Sequence, residues 1–61
     1  MNARELEKIL FKDGWRFKAQ HGSHRQYVHP VKPGKVTVPH HGKTDIAIGI
    51  VNSILKQAGL K

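Results

Sequence analysis

The sequence predicts a small α+β domain of order α-β-β-β-α: a three-stranded antiparallel sheet with both helices on one of its faces. Three observations carry this. Apolar residues recur at helical spacing near each end of the chain, they alternate at every second position in between, and turns rich in glycine or proline separate the alternating runs. The 61 residues make one domain, residues 1–61. A chain this short buries only ~60% of the surface its unfolded form exposes. Covering one sheet face with both helices is the natural two-layer solution at this length. A second domain, a large enzyme and a deep pocket for a bulky cofactor are excluded.

The first helix starts at Asn2, which can cap it, with Glu5 three residues later in a capping-box arrangement. Leu6, Ile9 and Leu10 form its apolar stripe, and Asp13-Gly14 ends it. Trp15 to Gln20 alternates as a half-buried strand, with Trp15, Phe17 and Ala19 inward and Arg16, Lys18 and Gln20 outward. His21-Gly22-Ser23 is a short turn, and His24 to His29 returns as the second arm of a hairpin. Its pattern admits two faces. Tyr27 inward sends His24, Gln26 and Val28 to the open side, and the opposite assignment buries Val28 and His24. The first is favoured, because Tyr27 is larger and Gln26 resists burial. Pro30 to Gly34 is a turn, and Lys35 to Pro39 a third strand with Val36 and Val38 inward. Pro39 has no N–H to give a ladder, so this strand ends there or lies at an edge. His40 to Lys43 is a loop. The last helix runs from about Ala47 to Ala58 with Val51, Ile54, Leu55 and Ala58 inward, and Gly59-Leu60 fits a Schellman ending.

The uncovered sheet face then carries Arg16, Lys18, Gln20, His24, Gln26 and Thr37, with no acid among them. Eleven Lys and Arg stand against four Asp and Glu, a formal charge of +7. Such a surface favours a polyanion or an acidic protein as partner. Disulfides and thiolate metal sites are excluded by the absence of cysteine. No apolar run reaches the ~18 residues of a membrane span, and no signal peptide is expected, so a cytoplasmic protein with no membrane partner is the expectation.

The chemistry available is narrow. Glu5, Glu7, Asp13 and Asp45 all lie away from the hairpin in sequence, which disfavours paired-carboxylate and Ser-His-Asp mechanisms. Five histidines remain: His21, His24, His29, His40 and His41. Imidazole can take or give a proton near neutral pH. RNA brings its own nucleophile, the 2′-hydroxyl, so its cleavage needs only a base, a positive group for the phosphorane and an acid, with no metal or other cofactor. His24 stands out because it begins a strand directly after a Gly-Ser turn. Gly22 allows a phosphate to approach closely, and Ser23 can donate a hydrogen bond to it. Arg16, Lys18 and Arg25 read as phosphate contacts, against the plainer reading of a solvated face that keeps the domain soluble. Trp15 and Tyr27 could stack on bases, but both fall on the core side. His21, His29, His40 and His41 could ligate a metal, yet no carboxylate is placed to orient an imidazole, and adjacent histidines on a short loop rarely meet at one ion.

The stretches Gly22-Ser23-His24-Arg25-Gln26-Tyr27, His29-Pro30, Val36-Thr37-Val38-Pro39-His40-His41 and Ser53-Ile54-Leu55-Lys56-Gln57-Ala58-Gly59-Leu60 together resemble the HicA family of toxins. Each is modest alone; their order and spacing are specific. The resemblance implies a fold like the double-stranded-RNA-binding domain and a metal-independent endoribonuclease that cleaves mRNA and so blocks translation. It places a single essential catalytic histidine on His24. Around it, Arg16, Lys18, Gln20, Gly22, Ser23 and Arg25 are the expected RNA-binding residues. It also implies a HicB-type antitoxin that masks the active site. One departure stands out: the family enters its last helix through a Lys-Pro-Gly-Thr-like segment, where this chain has Ala47-Ile48-Gly49-Ile50. Without proline at the first helical position that end is less pre-organised. Ile46, Ile48 and Ile50 then either extend a partner-binding patch or cover the sheet edge. Two other classes share the charge and the open face: a non-catalytic RNA-binding module of the same fold, and a protein-interaction domain for an acidic partner.

Overall fold

The structure, a computed structural model, describes residues 1–40 and 44–61. Its elements are α1 (Ala3–Lys12), β1 (Arg16–His21), β2 (His24–Val28), β3 (Val36–Pro39) and α2 (Ile48–Gln57). The three strands form one antiparallel sheet in the order β1-β2-β3. This is the expected α-β-β-β-α arrangement, consistent with a fold like the double-stranded-RNA-binding domain. The expected loop residues His41, Gly42 and Lys43 lie outside the described residues.

The core is one cluster drawn from every layer. Ala3, Leu6 and Leu10 of α1 meet Val51 and Ile54 of α2, with Ala58 at that helix's cap, over Trp15, Tyr27, Val36 and Val38 from the sheet side. Trp15 and Tyr27 are its largest members, so both are packing residues and not open stacking platforms. Each helix has a defined end. Asn2 accepts from the Glu5 N–H at 2.9 Å, and the Glu5 carboxylate accepts from the Asn2 N–H at 3.1 Å, closing the capping box. Both helices stop in Schellman motifs. Trp15 N–H donates to the Leu10 carbonyl and Leu60 N–H to the Leu55 carbonyl, around Gly14 and Gly59 at positive φ. Ala47 caps α2 without a side-chain hydrogen bond.

The helices run side by side in the same direction. At their starts, Ile46 N–H donates to the Met1 carbonyl at 2.7 Å, beside an isolated bridge between Asn2 and Asp45. At their ends, Lys32 Nζ from the β2–β3 loop donates to Asp13 at 2.5 Å and to the Ala58 carbonyl at 2.9 Å. Asp13 caps α1 and Ala58 caps α2, so one ammonium joins both C-termini.

The sheet departs from strict alternation at one place. Phe17 pairs with Tyr27 and Ala19 with Gln26, which leaves Lys18 as the extra residue of a β-bulge. Residues paired across antiparallel strands share a face. Phe17 therefore shares the helix side with Tyr27 and Val36, as expected, although on this edge strand it stays 48% exposed. Ala19, expected inward, moves to the open face with Gln26 and Thr37, and Gln20, expected outward, joins the row of Arg25 and the buried Val38. A bulge shifts the period by one residue, so every side chain beyond it changes face.

Candidate functional site

The open face is built from three cross-strand rows. Arg16 pairs with Val28, Ala19 with Gln26 and Thr37, and His21 with His24 and Pro39. No carboxylate stands in any of them. All four acids are engaged elsewhere: Glu5 in the α1 cap, Glu7 with Arg25 and Tyr27, Asp13 with Lys32, and Asp45 with the N-terminal ammonium. The face thus keeps its positive and imidazole groups without internal neutralisation.

His24 opens the central strand, is exposed, and has no hydrogen-bond partner among the described residues. It follows a two-residue turn, Gly22-Ser23, of which only Gly22 has positive φ, as a type II′ hairpin turn requires. A Cβ added at Gly22 would meet nothing within 4 Å, so space beside the turn is open. Ser23 is half-buried, and its carbonyl accepts from the His40 N–H at 2.6 Å. This bond fixes the end of the third strand against the turn. The structure therefore brings Gly22, Ser23 and His24 together at one corner of the open face. Arg16 lies on the same face about 13 Å away along β2, four residues at ~3.3 Å each. Lys18 projects from the bulge between them and is exposed.

Two expected RNA contacts are placed differently. Arg25 sits on the helix side, where it donates to Glu7 at 2.8 Å and to the Gln20 side-chain oxygen at 3.1 Å, with its guanidinium 5.2 Å from the Phe17 ring centre. Gln20 in turn donates to the Gly22 carbonyl at 2.9 Å. The pair therefore braces the turn from behind. Tyr27 completes this network by donating its hydroxyl to Glu7 at 2.5 Å. Burial, with the Glu7 carboxylate beside it, raises the Tyr27 pKa to about 12.

The other histidines separate clearly. His29 is held at both ring nitrogens: Nδ1 accepts from the Val31 and Lys32 N–H groups at 3.0 Å, and Nε2 lies 2.7 Å from the Asp13 carbonyl oxygen. With Nδ1 accepting twice, the ring proton is on Nε2 and donates to Asp13. The ring also packs edge-on against Trp15, with centres 5.2 Å apart. His29 is a fastener of the α1 terminus, and Lys32 beside it holds the Asp13 carboxyl below its ordinary pKa. His21 proves to be the last residue of β1 and not part of the turn, directly opposite His24. Sequence reading missed that pairing, although a Gly-Ser pair flanked by two histidines was its signal.

Over residues 3–60 the chain matches the profile of a family described as the HicA toxin of bacterial toxin–antitoxin. The chain belongs to the HicA toxin family. The match runs from the first residue of α1 to the last residue of the α2 Schellman motif, so it covers the candidate site and the scaffold alike. No curated protein is a match for the chain. As a HicA toxin it is one half of a toxin–antitoxin pair, and a cognate antitoxin is its implied partner. No helix among the described residues is long and apolar enough to cross a membrane.

Proposed function

We propose that this HicA toxin is a metal-independent endoribonuclease that cleaves mRNA, with His24 as its catalytic residue. The observation that carries the reading is an exposed imidazole with no hydrogen-bond partner among the described residues, standing at a tight turn on a basic sheet face without carboxylates. His24 takes the proton from a 2′-hydroxyl, whose oxygen attacks the adjacent phosphorus. The Ser23 hydroxyl hydrogen-bonds a non-bridging phosphate oxygen, and the open space at Gly22 admits the backbone. Arg16 and Lys18 hold flanking phosphates. Gln20 and Arg25 support the turn from the helix side, so in this reading they position the site and leave the substrate contacts to the others. A HicB-type antitoxin inhibits the toxin by covering the His24 corner.

The test is cleavage of a defined mRNA in EDTA by the parent and by His24→Ala, with folding matched by circular dichroism. Cleavage by the parent alone is the expected result. Equal cleavage by both proteins removes His24 from the mechanism. Loss of parent activity in EDTA replaces the metal-free reading with a metal-dependent one. RNA binding without cleavage by either protein makes the chain a non-catalytic RNA-binding module.

A further inference from the structure

Cleavage at a phosphodiester needs two proton transfers, and one imidazole on the free enzyme serves only one at a time. We propose that His21 is the second catalytic residue, the acid that protonates the leaving oxygen; this rests on the ribonuclease reading of the same site. The warrant is the register. His21 and His24 are direct cross-strand partners closing the Gly22-Ser23 turn. Partners of this kind have Cβ atoms ~5 Å apart and point to the same side of the sheet. Both residues are exposed, and neither ring has a hydrogen-bond partner among the described residues.

Other proton donors among the described residues are less well placed. The Tyr27 hydroxyl is buried and spent on Glu7. His29 has both nitrogens occupied. His40 lies one residue past β3, outside the paired rows. Arg16 is about 13 Å from His24 along the strand.

The chemistry balances with these two groups alone. His24 removes the 2′-hydroxyl proton as the O2′–P bond forms. The P–O5′ bond breaks on the opposite side of the phosphorus, and His21, entering as imidazolium, gives its proton to the departing 5′-oxygen. The products are a 2′,3′-cyclic phosphate and a 5′-hydroxyl. An in-line displacement places the attacking and leaving oxygens at opposite apices of the phosphorane. Two imidazoles side by side across a hairpin can bracket them, and the small Gly-Ser turn leaves the approach clear.

The experiment compares two substrates. One is a defined RNA; the other is the same RNA with sulfur replacing the bridging 5′-oxygen at the mapped cleavage site, because a thiolate leaves without being protonated. His21→Ala is expected to slow cleavage of the first by ~100-fold or more and to restore near-parent rates on the second. His24→Ala stays slow on both. The parent's bell-shaped pH profile loses its alkaline limb in His21→Ala, and His21→Gln behaves the same way, which separates loss of a proton donor from loss of surface polarity. Parent-like cleavage of ordinary RNA by His21→Ala overturns the inference and leaves the ribonuclease reading standing, as does an equal loss on both substrates. A parent that cleaves neither substrate overturns both.

Discussion

Two histidines bracket β2, and they are employed in opposite ways. His24 opens the strand with an exposed ring and no hydrogen-bond partner among the described residues, while His29 follows it with both ring nitrogens bonded to backbone groups. Two arginines repeat the contrast across the sheet. Arg16 is exposed on the open face, and Arg25 on the helix side is paired with Glu7 and Gln20. Residue type alone therefore does not mark a functional group in this fold. What separates the candidate site from the scaffold is whether the side chain's hydrogen-bonding capacity is already used.

The contrast breaks most visibly at the histidines. His24→Ala should reduce RNA cleavage by ~10²–10⁴-fold while changing stability by less than about 0.5 kcal/mol, measured as a cleavage rate beside a denaturant midpoint. His29→Ala should do the reverse. Its loss strands two N–H groups and a carbonyl and empties the contact with Trp15, at a cost of about 2–3 kcal/mol, with cleavage per folded molecule unchanged. If His29→Ala lost activity at full folding, the division between the two ends of β2 would be wrong.

The network behind Arg25 sharpens the comparison on the helix side. Tyr27→Phe should lower stability by about 1 kcal/mol. Because the folded-state pKa of Tyr27 is raised from 10.0 to about 12, its contribution is complete below pH 10 and disappears as pH rises toward 12. Parent protein should therefore lose stability across that alkaline window and Tyr27→Phe should not, read from denaturation midpoints at stepped pH. Asp13 works with the opposite sign. Lys32 lowers its pKa below 3.8, so its contribution is present above that value and is lost as pH falls through the lowered pKa. Lys32→Met should flatten the acid side of the stability profile.

The smallest effects belong to the exposed cations. Arg16→Ala should weaken RNA binding uniformly across sequences and reduce the slope of log affinity against log salt by roughly 0.7, one single-strand phosphate contact. Arg25→Ala should leave that slope alone and cost about 1 kcal/mol of stability. Equal salt slopes for the two variants would remove the distinction between the faces.

Much of this was legible in the sequence because it is local. The Asn2–Glu5 box, the glycine endings, the inward Tyr27 and the edge position of Pro39 each follow from a few neighbouring residues. The bulge was not legible. Ala19 is small enough for either face, so a one-residue shift at Lys18 leaves no trace in the alternation. Nor were the pairings of Glu7 with Arg25 and of Asp13 with Lys32, which join residues far apart in sequence and depend on how the helices lie over the sheet. Arg25 and His29 therefore have partners that their neighbours in sequence do not announce. The His24 corner was visible because the turn sequence exposes it.

The single ammonium of Lys32 at both helix C-termini has a consequence for the opposite end of the molecule. Two parallel helices that share one cation at their negative ends leave both positive ends pointing toward the hairpin tip, each equivalent to roughly half an elementary charge. The end of α2 is the barer of the two, with no side-chain cap and no acid in its first turn. The protein's net charge of +7 is thus joined at the hairpin end by two partial positive charges. Each partial charge falls off within a turn, so it acts on an anion already seated at the hairpin end and not on one still at a distance.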